Sequence, residues 1–235
     1  MSLLTEPATP VLLAWSGGKD ATLALERLRA DARWRVVGLL TSVGSGDGRI
    51  AMHGVRGSLL RRQAAALELP LFEAPLPPLA DNAAYGASFA AALAQARAAQ
   101  PPLAHVAFGD IFLADLRAWR EALLAPLGWQ GVYQLWGEDT AALARQVIAH
   151  GHRAVLCCVD TQQLDAAFCG RDYDAALLAD LPGTCDPCGE NGEFHTCVVA
   201  SPLFRAPIAV ARGARGLRDG RFETIDLLDD DGTMS

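Results

Sequence analysis

Five consecutive residues near the N-terminus, Ser16-Gly17-Gly18-Lys19-Asp20, combine a hydroxyl, two glycines, a cation and a carboxylate. Adjacent glycines let the backbone turn sharply and leave no Cβ to hold a ligand away. The N–H groups exposed by such a turn, with the positive end of a following helix dipole, suit an anion. Ser16 adds a donor and Lys19 a full charge, so phosphate is the guest these residues fit. A plain glycine turn between a strand and a helix is the simpler alternative. Two other phosphate loops are excluded. A Walker A loop needs a glycine five residues before Gly18 and Ser or Thr after the lysine, where this chain has Leu13 and Asp20. The dinucleotide fingerprint G-x-G-x-x-G is absent from the turn.

Four further groupings carry usable chemistry. Met52-His53-Gly54-Val55-Arg56 opens a helix after a glycine-rich loop. His53 and Arg56 could meet nucleotide phosphates, since the planar Arg fork matches phosphate oxygens; a polar helix start serves equally well. Phe108-Gly109-Asp110-Ile111 ends a strand, which puts the Asp110 carboxylate on the ligand side of a parallel sheet, unless it caps the next helix. The densest polar stretch runs from Cys185 to Thr196 and holds Asp186, Glu190, Asn191, Glu193 and His195. These groups could bind a polar substrate and act as acid, base or Mg²⁺ ligands, with His195 the expected titrating group near neutral pH; an exposed polar turn is the alternative. Cys185-x-x-Cys188 lacks the second pair or the spaced histidines of a structural zinc site. Cys157, Cys158 and Cys169 read as buried thiols.

The elements around these residues alternate. Apolar Val11-Leu12-Leu13-Ala14 reads as a buried strand leading into the glycine turn, and residues 21–28 have helical leucine spacing. A second strand over 35–42 ends in Thr41 and Ser42, where parallel sheets hold ligands. Then follow a loop over 43–50, a helix over 56–69, a strand over 71–74, an alanine-rich helix over 82–100, a strand over 105–109 and a helix over 113–124. The pattern predicts a Rossmann-like parallel sheet with helices on both faces. A domain of residues 1–133 should be followed by a smaller mixed α+β lobe of 134–235. In it, a helix over 138–150, a strand over 154–159, a helix over 173–181 and a strand over 196–199 precede antiparallel strands near 208–210 and 221–225 and a frayed acidic tail from Asp229.

Composition bounds the partners. The 235 residues are 51% hydrophobic and 20% charged with a net charge of −7. This is the balance of a globular protein without the basic footprint of a general nucleic-acid binder. No apolar run reaches the length of a membrane span, and the first ten residues lack a signal peptide's pattern, so the cytoplasm and reduced cysteines are expected. A homodimer is one assembly the sequence leaves open.

S-G-G-K-D after an apolar strand resembles the PP-loop of N-type ATP pyrophosphatases, which cut ATP between the α and β phosphates. With M-H-G-V-R, F-G-D-I followed by Arg117 and Trp119-Arg120-Glu121, L-W-G-E-D-T and D-P-C-G-E-N-G-E-F-H-T in this order, the chain resembles the diphthine–ammonia ligase family over residues 11–207. The resemblance implies an ATP-dependent amide-forming ligase that adenylates a substrate carboxylate and amidates it with ammonia. ATP and Mg²⁺ would be its cofactors, and a small molecule or a protein would supply the carboxylate. Ser16, Gly17, Gly18, Lys19 and Asp20 would hold the ATP phosphates, with Asp20 also the Mg²⁺ ligand. Thr41, Ser42, His53 and Arg56 would complete the nucleotide site. Lys19, Asp110, Glu190, Glu193 and His195 would be catalytic, and Asp186, Glu190, Asn191 and Thr196 would face the substrate. Eukaryotic and archaeal members read E-G-G-E-[FY]-E-[ST] where this chain has Glu190-Asn191-Gly192-Glu193-Phe194-His195-Thr196. A changed acceptor is therefore expected, a corrinoid or another small acid if the source is bacterial. A nucleotide-binding sensor without turnover and a tRNA-thiolating PP-loop enzyme are the alternatives.

Overall fold

Val11, Leu12 and Leu13 are all fully buried because strand β1 (Thr9–Ala14) lies at the centre of a parallel sheet. The computed structural model describes residues 7–46, 48–50, 54–100 and 102–230. Around β1 are β2 (Trp34–Gly44), β3 (Leu71–Leu76), β4 (His105–Phe108) and β5 (Gln130–Tyr133), in the order β3-β2-β1-β4-β5 and parallel throughout. This is the expected Rossmann-like arrangement. The order reverses between β1 and β4, and open α/β sheets bind ligands at such a reversal, beyond the carboxyl ends of their strands.

Side chains alternate across the sheet and so serve two cores. Val11 and Leu13 pack with α1 (Lys19–Ala30) and α2 (Gly57–Leu67) on one face. Leu12 packs on the other with α3 (Asn82–Ala99), which buries Phe89, Ala92, Leu93 and Ala96 at helical spacing, and with Leu124 of α4 (Ala114–Leu124). Beyond α1 and α2 lies a second sheet of β6 (Arg153–Asp160), β7 (Phe194–Ala200), β8 (Val210–Arg218) and β9 (Phe222–Asp229), antiparallel in the order β7-β6-β9-β8. Leu143 and Val147 of α5 (Thr140–Ala149) and Leu177 of α6 (Ala175–Asp180) join its core. The core that holds Leu13 and Leu25 continues into Leu156 and Val198, so the two sheets share one apolar interior.

Several boundaries differ from the sequence expectations. Strand β5 was not expected; its four residues include a glycine and only Val132 and Tyr133 as β-formers. Strand β8 begins where the strand at 208–210 was expected to end, and its run of Arg and Gly carries no alternation, as befits a charged, exposed edge. The supposed tail starts inside β9, where Asp229 accepts hydrogen bonds from Arg62 and Ser58. The rest of that tail, 231–235, and His53 lie outside the described residues. Among the described residues no helix is long and apolar enough to cross a membrane.

Candidate active site

The glycine turn joins β1 to α1 and is fastened on two sides. Gly17 has φ +77°, and a Cβ there would lie 2.7 Å from Gln63 Oε1, so this position needs glycine. Gly18 is the N-cap of α1 but offers no side chain. The Lys19 N–H donates instead to Thr196 Oγ1 at 3.1 Å, and the Val198 N–H donates to the Gly17 carbonyl at 2.8 Å. Strand β7 thus docks directly on the turn. From α2, buried Gln63 donates to the Gly17 and Val198 carbonyls at 3.1 and 2.7 Å and accepts from Trp15 Nε1 at 2.9 Å. On the β4 side, a Cβ at Gly109 would lie 2.9 Å from the Asp20 backbone carbon, so this glycine lets the strand end touch the helix start.

A cleft of about 460 Å³ opens over the carboxyl ends of β1, β2 and β4. It brings together Ser16, Gly18, Lys19, Asp20, Thr41, Ser42, Asp110, Glu190, Asn191, His195 and Thr196. Among the described residues, buried Thr41 Oγ1 has no hydrogen-bond partner, which leaves a hydroxyl for a ligand. Asp110 does not cap α4, whose N-cap is Leu113; Arg120 grips it with bonds of 2.6 and 3.2 Å. Lys19, the single lysine of the sequence, is buried. Its ammonium donates to Asp20 Oδ2 at 2.9 Å and to the Cys188 carbonyl, and lies near the Tyr173 and Phe194 rings. Burial is the largest single influence and pulls its pKa down, but the neighbouring acidic groups, Asp20 first and then Cys188 and Glu190, together outweigh it and hold the pKa above the usual value.

The titrating group is Glu190, where His195 was expected. Burial, opposed by N–H donors from Ile111 and Phe112 at 2.7 and 3.3 Å and reinforced by Asp20, pushes Glu190 up to about 7. Burial and the charges of Lys19 and Arg218 press His195 down to about 4, so its imidazole is neutral at physiological pH. No sequence pattern marks this exchange, because it depends on the fold burying Glu190 near carboxylates and His195 near cations.

Other expected site residues hold the cleft's walls. Arg56 grips Asp226 of β9 with bonds of 2.9 and 2.5 Å, together with Arg49, and does not line the cleft. Its fork ties the approach to α2 onto the second sheet. Asp186 Oδ1 accepts from the Cys188 and Glu190 N–H groups, fixing the turn that presents Glu190. Buried Glu193 supports that turn by accepting from the Asp186 N–H and the Asn191 amide through Oε1, and among the described residues its Oε2 has no partner. Cys185 and Cys188 are buried free thiols that burial pushes up to about 12, too high for a reactive thiolate. The motifs also touch one another. The Gly137 N–H donates to the Ile111 carbonyl at 2.8 Å, and Cys188 Sγ donates to the Thr140 carbonyl at 3.3 Å.

Comparison with known proteins agrees with the resemblance read from these motifs. Residues 139–224 match the family model described as the diphthamide synthase C-terminal domain. The chain is also similar to the diphthine–ammonia ligase of Schizosaccharomyces pombe, 29% identical over 114 residues, which are 47% of this chain and 19% of the relative. The matched region thus spans about a fifth of that relative's length.

Proposed function

We propose that this chain is an ATP-dependent amide-forming ligase of the diphthine–ammonia ligase type. The observation that carries the reading is Glu190. It belongs to the C-terminal stretch 185–196, yet it reaches the backbone N–H groups at the end of β4 and lines the cleft with the glycine turn. A group with pKa about 7 suits general base work near neutral pH.

In the proposed reaction the substrate carboxylate attacks the α-phosphorus of ATP and pyrophosphate departs. Ammonia then attacks the acyl carbon, and AMP leaves with one oxygen of the former carboxylate. The glycine turn and Ser16 hold the phosphates, and the Thr41 hydroxyl donates to the nucleotide. The fixed charge of Lys19, held by Asp20 and the Cys188 carbonyl, favours the negative charge that develops at the transferring group. Glu190 takes the proton from the attacking nitrogen. Asp20, a carboxylate at the mouth of the glycine turn, would hold Mg²⁺, since its oxygens fit a hard cation. When bound, Mg²⁺ neutralises charge on the phosphates.

The acceptor is a carboxylic acid of a small molecule or protein; a corrinoid acid is one candidate. A second reading, a nucleotide sensor without turnover, is favoured by the engagement of Lys19 with protein groups. Equilibrium binding and single-turnover assays with Mg²⁺·ATP, ammonium and a panel of carboxylates separate the two. The ligase forms AMP and amide together in a carboxylate-dependent way. A sensor binds nucleotide and leaves it intact across the panel.

A further inference from the structure

One cluster of ligating side chains stands apart from the cleft. Glu26 lies on α1 about two turns beyond the glycine turn, His150 closes α5 and His152 precedes β6. Glu26 Oε2 is 2.9 Å from His150 Nδ1 and 3.2 Å from His152 Nε2. The three atoms all lie within 4.8 Å of one another. Zinc bonds to nitrogen and oxygen of roughly 2.0–2.1 Å place tetrahedral ligand atoms about 3.3 Å apart. Two of the three edges are therefore near the required length. The third closes by turning His150, whose side chain is 40% exposed, against a fixed His152 that is 1% exposed.

The outer contacts point the same way. His152 Nδ1 lies 3.0 Å from Ser201 Oγ, which also accepts the Leu203 N–H at 3.0 Å. A partner on one ring nitrogen fixes the imidazole and aims the other at the metal, as outer-shell groups do for ligating histidines. Two imidazoles and one carboxylate suit zinc better than magnesium or calcium, which take oxygen ligands.

We propose that Glu26, His150 and His152 form a three-ligand site for a zinc-class divalent cation, with water in the fourth position. The ion would pin α1, and with it the base of the glycine turn, to the start of the antiparallel sheet. This proposal does not depend on the ligase reading.

The test is a Co²⁺ titration of tag-free, metal-stripped protein, read by visible absorption, followed by displacement with Zn²⁺. The site predicts one Co²⁺ per chain, d–d bands without a thiolate charge-transfer band, and a higher Tm in excess Zn²⁺. His150→Asn and Glu26→Gln, both at partly exposed positions, should each weaken binding more than tenfold. Ser201→Ala should weaken it by about 10–100-fold. The proposal is overturned if no Co²⁺ binds, if a thiolate band accompanies binding, or if both ligand variants bind as tightly as the parent protein.

Discussion

Glu190 and His195 are five residues apart in the sequence and opposite in behaviour. A carboxylate held at about 7 loses its proton as the pH rises through neutrality, so a rate that needs the base should climb from pH 6 to 8 and level above. Glu190→Gln should remove that limb and lower the amidation rate by about 10²–10⁴-fold, measured as kcat against pH. His195→Gln should leave the limb in place, because His195 titrates near 4. The sign for stability is the reverse. The folded pKa of Glu190 exceeds its unfolded value, so its protonated form favours folding below about pH 4.5, and this contribution is lost as the pH rises to about 7. Glu190→Gln should therefore flatten the fall in urea midpoint between those limits. The residue types of the site were legible in the sequence, since glycine, lysine and carboxylates at loop positions declare their chemistry. Their protonation was not, because it follows from burial and from charges that other elements deliver, the Asp20 and Asp110 carboxylates beside Glu190 and the Lys19 and Arg218 cations beside His195.

At the level of elements, β7 and α2 govern the glycine turn together. Gln63 satisfies Trp15, Gly17 and Val198 at once. Gln63→Leu leaves buried polar groups without partners and should cost about 1–3 kcal/mol or more, read as a lower urea midpoint with weaker ATP binding. Sequence reasoning passed over Gln63 because a lone glutamine in a helix has no pattern to distinguish it. Thr196 was expected on the substrate side, and it lines the cleft while also taking up the first helical N–H. The strands β1, β2 and β4 were readable from apolar runs that end in polar or glycine residues. Edge strands β5 and β8 were not, since they bury little and one of them is rich in Arg and Gly. Arg56 was placed at the nucleotide from its motif, and only the position of β9 reveals Asp226 as its partner.

For the whole molecule, the alternation of strands and helices gave the α/β class, while the continuity of the core across both sheets had no sequence signal. Leu25 of α1 shares that core with Leu156 and Val198, so Leu25→Ala should destabilise both sheets together by about 2–5 kcal/mol. A single calorimetric transition that moves down intact would show this coupling; two separating transitions would contradict it. The same coupling brings the 185–196 stretch to the glycine turn, and the ligase reading rests on that meeting. Its most direct test is pyrophosphate release from Mg²⁺·ATP, measured with ammonium and each of a panel of carboxylates. Release should depend on one carboxylate, yield the matching amide with equal AMP, and be sharply slowed by Glu190→Gln. Nucleotide that binds tightly and stays whole with every carboxylate, in parent and variant alike, would contradict it.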